Sequence, residues 1–567
     1  MATEAEEPVT TGENSGTAEE VKPYRIHVTT RYLNLTKQKL EIARLPHELD
    51  EPKSEDWWQP KPQVEPLIDF WLEQYQWREQ EEILNRLPQF RTSFTIPRSE
   101  SPIRIHFIHV CSPRANVIPL LLIPPFPFSS LSLGHLIKLF TEPENVNDQA
   151  FHLVIPSLPG LSFSDALPTN TPVISSTADL LDSLMKRLGY PFYLATNAGA
   201  GASSPSQIDY KLVDWLSAQY PDSCLGTHLI SPPLTQPRLQ KAPLKWAKWS
   251  IASTFKTSVW GYRSEDLSAL KQSSKTLTTA AKSRFDEIGF TEPNTLAYAL
   301  CDSPTGLLVF VMKGLRLFAP QKEFTPTEII NFTQFAWLPG PESAMRFWAY
   351  CLRHPENVIK KKSTGKPRVA LTVFLGCEPN TAESSNSGNA GTHAGVSDGA
   401  RSPYSCPSWA KLRYQVLYTN RVGGEPGLLA WERPEIIATG VRGLAAGVLK
   451  VDKRLKPLVN PEPAPPEQVA VGAESAAEAA APEGQPRSPK PSEPQPELLA
   501  PPPIGERLLP IRETSDDTKV ASDDKLNDNL AAKTPSPKPA TASPVQSGTS
   551  PAAAIEGEGL RLRAVAA

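Results

Sequence analysis

The sequence predicts an α/β fold built on a mainly parallel sheet, and three observations carry that reading. Short, largely apolar runs recur along the chain, at residues 119–123, 151–155, 192–195, 227–230 and 369–374. Runs this short with no polar face suit strands covered on both sides. Helix-like stretches alternate with them, at 133–140, 178–188, 207–220 and 434–449, the rhythm of parallel strands joined by crossover helices. The third observation is local. Tyr193, Leu194 and Ala195 run into the small residues Ala198-Gly199-Ala200-Gly201, and a helix pattern with Ile208, Leu212, Trp215 and Leu216 at helical spacing leaves. A strand passing through small residues into a helix is the layout of a nucleophile elbow, the sharp turn that lifts a reactive side chain above a sheet. Small residues are needed there because backbones approach closely. The position that should hold Ser, Cys or Asp is Gly199.

With 567 residues the chain can bury a large core and carry a lid and additions. Its 58 Lys and Arg against 61 Asp and Glu give a formal charge of −3, which offers no electrostatic case for nucleic acid. Six Cys stand without pair spacing, the pattern of reduced thiols inside a cell, so a cytoplasmic location is expected. No run approaches the roughly 20 apolar residues of a membrane span. The first twenty residues hold six Glu and no Lys or Arg, unlike a signal or transit peptide.

In order, residues 1–22 are polar and acidic and read as disordered. An amino-terminal region follows at 23–110. It opens with a strand signal (Tyr24, Ile26, Val28) and a helix ending near Leu45-Pro46. Pro66 then begins a stronger helix whose stripe is Ile68, Trp71, Leu72 and Tyr75. The aromatics Trp57, Trp58, Tyr75 and Trp77 are expected to pack this segment against the main domain. Residues 90–110 read as two strands, with Ile103, Ile105 and Phe107 alternating. His106 and His109 read as structural, since neither has an acidic or nucleophilic neighbour in sequence. The first part of the core spans 111–230. Residues 231–358 lose the β rhythm and turn helical and aromatic, a lid over the carboxyl ends of the strands, where such sheets bind ligands. The second part of the core spans 359–452, interrupted at 379–405 by a low-complexity insertion and holding a last strand at 414–419. Residues 453–567 are rich in Pro, Ala, Glu and Ser and read as a disordered tail, with Ser-Pro and Thr-Pro pairs that can accept phosphate.

Several segments resemble the microsomal-type epoxide hydrolase family. They are Trp71-Leu72-Glu73-Gln74-Tyr75-Gln76-Trp77-Arg78, Leu84-Asn85-Arg86-Leu87-Pro88-Gln89-Phe90, Arg104-Ile105-His106-Phe107-Ile108-His109-Val110 and Ile155-Pro156-Ser157-Leu158-Pro159-Gly160. Further matches are Leu296-Ala297-Tyr298-Ala299-Leu300, Asp302-Ser303-Pro304-Thr305-Gly306-Leu307 and Trp431-Glu432-Arg433-Pro434-Glu435, so the resemblance covers residues 24–445. It implies an α/β-hydrolase fold and the hydrolysis of epoxides to vicinal diols without a cofactor. In that chemistry an Asp carboxylate attacks the epoxide to form an ester. Two lid tyrosines hydrogen-bond the departing oxygen. A His paired with an acid then activates water, and backbone N–H groups hold the oxyanion.

Carried over residue by residue, these roles fall on residues that cannot perform them. The nucleophile position is Gly199. The oxyanion loop falls on Pro124-Pro125-Phe126-Pro127-Phe128, where Pro127 is retained and two further prolines have no N–H to give. The base follows a Gly-Gly pair in the family, whereas Gly423-Gly424 is followed by Glu425. The lid tyrosines fall on Phe285 and Trp348. Glu378 stands one residue late for a retained acid. Beyond Gly199 the histidines are His228, His354 and His393, none in the loop after the last strand, and Thr196, Ser203 and Ser204 lack Gly-x-Ser-x-Gly spacing. Three readings stay open. The first is a degenerate hydrolase that holds an apolar small-molecule ligand under the lid or acts as a partner for another protein. The second is an active epoxide or ester hydrolase with displaced groups. The third is a non-enzymatic scaffold working through its tail. No metal is called for, and oligomeric state is not encoded in any motif.

Overall fold

The computed structural model describes residues 20–48, 60–96, 101–199, 201, 204–256, 258–277, 292–318, 322–356, 365–376 and 404–455. Phe285, Glu378, Ser203, His393, the expected insertion up to residue 403, the expected tail beyond residue 455 and the first nineteen residues lie outside them.

The amino-terminal segment forms a two-residue strand β1 (Lys22–Pro23), three helices α1 (Thr30–Glu41), α2 (Lys61–Glu73) and α3 (Trp77–Leu84), and strands β2 (Gln89–Phe94) and β3 (Ile103–Val110). The chain then alternates through β4 (Ile118–Ile123), α4 (Ile137–Thr141), β5 (Phe151–Pro156), α5 (Val173–Arg187), β6 (Tyr193–Asn197), α6 (Ile208–Gln219) and β7 (Cys224–Ile230). Six helices intervene before the next strand: α7 (Pro243–Phe255), α8 (Ser264–Leu277), α9 (Pro293–Asp302), α10 (Pro304–Leu317), α11 (Pro326–Trp337) and α12 (Glu342–Arg353). Strands β8 (Arg368–Phe374) and β9 (Gln415–Val422) and helices α13 (Leu429–Glu432) and α14 (Pro434–Val451) complete the described order.

One nine-stranded sheet runs β1-β2-β3-β5-β4-β6-β7-β8-β9. The pairs from β1 to β5 are antiparallel and all the others are parallel. Successive side chains of a strand point to opposite faces, and both faces are buried here. Leu121, Ile123 and Ala195 join a layer with Leu181, Leu216, Phe347 and Trp348. Leu120, Leu122 and Leu194 join the opposite layer with Phe140, Val441 and Leu444. The apolar runs are therefore central strands, packed by α5, α6 and the helices before β8 on one side and by α4 and α14 on the other.

Four expectations need correction. Only Lys22 and Pro23 pair as a strand; Tyr24 N still donates to the Gln89 carbonyl of β2, but at Ile26 and Val28 side chains replace a strand partner. Asn85 accepts from Ile26 N at 2.8 Å and donates to Ile26 O at 2.9 Å, and Glu81 accepts from Val28 N at 2.6 Å. The helix before Pro46 stops at Glu41. Pro66 lies inside α2 rather than at its start. It forgoes one helix hydrogen bond, while Val64, Leu67, Ile68 and Trp71 bury the face that holds the helix in place. The crossover expected at 133–140 divides into a 3-10 stretch, Ser130–Leu136, and the short α4. Gly134 lies within the 3-10 stretch, and a β-carbon there would press on Leu87 at 3.1 Å.

Helix α8 is tied to the end of β9 by a buried ion pair. Arg421 donates from Nε and Nη2 to the two Asp266 oxygens at 2.8 and 3.0 Å, and the Tyr404 hydroxyl donates to the same carboxylate at 2.5 Å. Both charges are buried, so the cost of desolvation is met only because the pairing is bidentate and further hydrogen-bonded. Among the described residues no helix is long and apolar enough to cross a membrane, and the five cysteines described are free thiols.

Candidate active site

Strand β6 ends at Asn197, and the chain turns through Ala198, Gly199 and Gly201 towards α6. Gly201 is left-handed, with φ +60°, as are Ser206 and Gln207 just before α6; a β-carbon on Gly201 would meet the Ile230 carbonyl. Every residue from Ala198 to Ala202 is Ala or Gly. A shift of one or two positions in placing the elbow therefore supplies no reactive group either.

The space a side chain at Gly199 would need is already taken. A β-carbon built there would collide with Asp209 Oδ2 and lie 3.0 Å from Pro125 Cβ. Asp209 is the second residue of α6, where a carboxylate suits the positive end of the helix dipole. It is completely buried. Asn197 Nδ2 donates to Oδ2 at 3.1 Å, and the Ser204 hydroxyl donates to Oδ1. Burial pushes the Asp209 carboxyl above the usual carboxylate range, while the bonds from Ser204, Asn197 and the backbone N–H groups of Tyr210 and Asp209 hold it down. Asn197 also accepts from Ile230 N at 3.2 Å, which links the ends of β6 and β7. Sequence reading missed Asp209. The signal was there: Asp209, Leu212, Val213 and Leu216 fall at i, i+3, i+4 and i+7 and are all buried, so one acid stands in a core stripe.

Above the sheet lies a cavity with about 1000 Å³ of empty space, counting its mouth open to solvent. Phe126, Phe128, Leu315, Phe318, Phe332 and Trp348 are among its walls. Phe126 stacks on Phe347 (5.8 Å, 23°) and meets Trp348 edge-on (5.9 Å, 79°). The structure thus joins three residues singled out in sequence, Phe126, Pro127 and Trp348, in one wall. Polar groups are few. Ser129 and Ser162 line the cavity, both nearly fully buried, and neither hydroxyl has a hydrogen-bond partner among the described residues. Ser162 also holds a left-handed backbone at φ +50°, a strained conformation for a residue with a side chain.

The remaining candidates lie elsewhere. Glu425 is half-buried, its carbonyl accepts from Arg433 Nη2, and it is not among the residues lining the cavity. Thr196 and His228 do meet: Thr196 Oγ1 lies 2.9 Å from His228 Nδ1, and Thr372 Oγ1 lies 2.8 Å from Nε2. The three are fully buried on the α14 side, where a β-carbon on Gly440 would strike the imidazole. Burial lowers the His228 pKa to about 3, so the ring stays neutral. Ser204 is engaged by Asp209 and by the Gly201 carbonyl at 2.9 Å. His106 contacts Ser157 and Gln89 at 3.1 and 2.9 Å. His109 contacts the Tyr190 hydroxyl at 2.9 Å and has Cys111 Sγ at 3.8 Å, so its surroundings do include a thiol, contrary to the reading from sequence. Among the described residues no group of three or more His, Cys, Asp or Glu is placed to hold a metal ion.

A parallel core sheet with an antiparallel edge, helices on both faces and a helical insertion before β8 defines an α/β-hydrolase. The juvenile hormone epoxide hydrolase of the silkworm Bombyx mori superposes on it with a TM-score of 0.56 at 20% identity, covering 76% of this chain and 95% of that one. The epoxide hydrolase of Aspergillus niger gives 0.54 at 19% identity, over 76% and 97%. In sequence, residues 21–133 match the family described as "Epoxide hydrolase N terminus". Epoxide hydrolase 1 of Sus scrofa is 24% identical over 447 residues, 75% of this chain and 88% of that protein. Residues 21–133 thus match the epoxide hydrolase N-terminal family, and the chain as a whole is similar to epoxide hydrolases.

Proposed function

We propose that this protein is a family member that keeps a ligand cavity but does not open epoxides, and that it binds an apolar small molecule under the lid. The observation that carries the reading is Asp209: its buried carboxylate fills the space that a side chain at position 199 would require. Ester formation needs a nucleophile exposed to the substrate, and ester cleavage needs a base beside a water. The turn from Ala198 to Ala202 has no nucleophile, and His228 is held neutral between two threonines on the α14 face. Loss of such groups in other hydrolases lowers turnover by factors of roughly 10⁴ to 10⁶. The apolar walls and two unpartnered hydroxyls support a ligand that is mostly hydrocarbon with one hydrogen-bonding group.

A second reading takes Asp209 as a displaced nucleophile, since a carboxylate does stand beside the elbow. Diol formation from styrene oxide separates the two. The first reading expects wild-type rates equal to a protein-free blank. A wild-type rate above the blank that is lost in Asp209→Asn establishes the second. Binding is tested with phenylnaphthylamine, an apolar fluorophore. Gly314 in α10 lines the cavity, and a β-carbon there meets nothing within 4 Å. Gly314→Phe should therefore keep the melting temperature and weaken the probe about tenfold or more, a loss of about 1.4 kcal/mol. Equal affinity in the two proteins would count against the cavity as the binding site.

A further inference from the structure

Residues 231–264 carry six cations (Arg238, Lys241, Lys245, Lys248, Lys256 and Arg263) and no acid, in a chain whose overall charge is −3. This stretch contains α7, a helix that buries only Ala252. One side of α7 is docked: Trp249 meets Trp409 edge-on at 5.3 Å and Tyr262 at 5.4 Å. The outward side is not polar. Leu244, Lys248, Ile251 and Phe255 form a stripe at i, i+4, i+7 and i+11, with Leu244 79% and Phe255 70% exposed. Trp260, half exposed, belongs to the same surface, because Lys248 Nζ stands 6.0 Å from its ring centroid. Lys366 joins from the chain before β8, since its Nζ and that of Lys245 both donate to the Lys411 carbonyl, at 2.7 and 2.8 Å. None of Lys241, Lys245, Lys248, Lys256, Lys366 and Lys411 has an acid partner among the described residues.

We propose that this face of α7, with Trp260, docks on an anionic phospholipid surface. Isolated exposed apolar side chains are ordinary, but a continuous stripe of Leu, Ile and Phe on one helix is not. Uniform positive charge around it matches a surface that is uniformly negative and apolar just beneath. Leu244, Ile251 and Phe255 enter the boundary between headgroups and acyl chains, Trp260 sits at headgroup level, and the lysines extend to lipid phosphates. A protein partner would have to present an acidic surface matched to these particular lysines, whereas an anionic bilayer meets all of them without such a match. The α7 residues do not line the cavity, so the proposal holds whether or not the cavity turns over a substrate.

The test is cosedimentation of the full-length protein with vesicles of phosphatidylcholine alone and of phosphatidylcholine with about 30 mol% phosphatidylserine. Two double variants accompany the wild type, Leu244→Ser with Phe255→Ser and Lys241→Glu with Lys248→Glu. All four side chains are exposed, so unchanged melting temperatures should certify folding. The wild type should bind the anionic vesicles at least about tenfold more tightly than the neutral ones. Each lysine lost costs about fivefold, so the charge variant should lose more than about tenfold, and the apolar variant a comparable factor. The proposal is overturned if folded wild type stays in the supernatant with anionic vesicles. It is equally overturned if the apolar variant binds as tightly as wild type, which would mark a purely electrostatic patch such as one for an acidic protein.

Discussion

The turn after β6 and the cavity beneath the helices preceding β8 are finished in opposite ways. In the turn, Asp209 takes the space beside Gly199, and both of its oxygens are hydrogen-bonded by side chains. In the cavity, space is left open and two hydroxyls have no partner. A closed polar network costs nothing further to keep, whereas an unpaired buried hydroxyl costs about 1–3 kcal/mol. Such a cost persists most readily where a ligand can relieve it. The contrast teaches that the polar turn and the apolar cavity of this fold rest on separable sets of side chains.

The comparison breaks most sharply at Gly199. Gly199→Asp places a second carboxylate against a buried one, and a loss on the order of 4 kcal/mol is expected in urea unfolding. Adding Asp209→Ala should recover most of it, because the offending contact goes. Strictly additive losses would mean that Asp209 does not occupy that space. A smaller effect is expected from acidification. Burial lowers the pKa of His106 and His228 to about 3 and of His109 to about 4. Between these values and about 6.5 the unfolded chain binds protons that the folded chain refuses, so stability rises with pH across that window. It is complete above about pH 6.5 and falls as pH drops towards 3, by roughly 1.4 kcal/mol per pH unit for each histidine. Asp209, raised by burial, acts in the opposite sense within the carboxylate range. His228→Gln should flatten the slope between pH 6 and 4, and an unchanged slope would place the pH sensitivity elsewhere. The smallest effect compares two serines. Ser204→Ala leaves Asp209 short of a donor and should cost about 1–2 kcal/mol, while Ser129→Ala removes an unpartnered hydroxyl and should be neutral or mildly stabilising. Equal losses in thermal unfolding would erase the distinction between turn and cavity.

Much of the fold was legible because a doubly covered strand leaves a plain trace. Ile118–Ile123, Phe151–Pro156 and Arg368–Phe374 lie within a residue of their apolar runs. Helices α6 and α14 likewise fall where the periodicity put them. What was misread was decided by contacts distant in sequence. Tyr24 to Val28 look like a strand, but at Ile26 and Val28 the side chains of Asn85 and Glu81 bond the backbone in place of a neighbour. Pro66 reads as a helix start only until Val64, two residues before it, is seen to open the buried stripe that Leu67, Ile68 and Trp71 continue. In the candidate site, the absence of a reactive group at Gly199 could be read directly. That Asp209, ten positions later, fills the gap could not, because helix periodicity says which face is buried and not which atom a carboxylate will touch. The pairing of Thr196 with His228 was hidden for a similar reason, since register across parallel strands is set by the whole sheet.

Asp209 also sets the direction in which this turn can change over generations. Adding an acid at position 199 while Asp209 remains passes through a protein weakened on the order of 4 kcal/mol, and marginally stable domains rarely survive such an intermediate. Removing Asp209 first strands the donors of Asn197 and Ser204. The two substitutions are each disfavoured alone and tolerable only together, so the turn behaves as a ratchet whose reverse step is a coordinated pair.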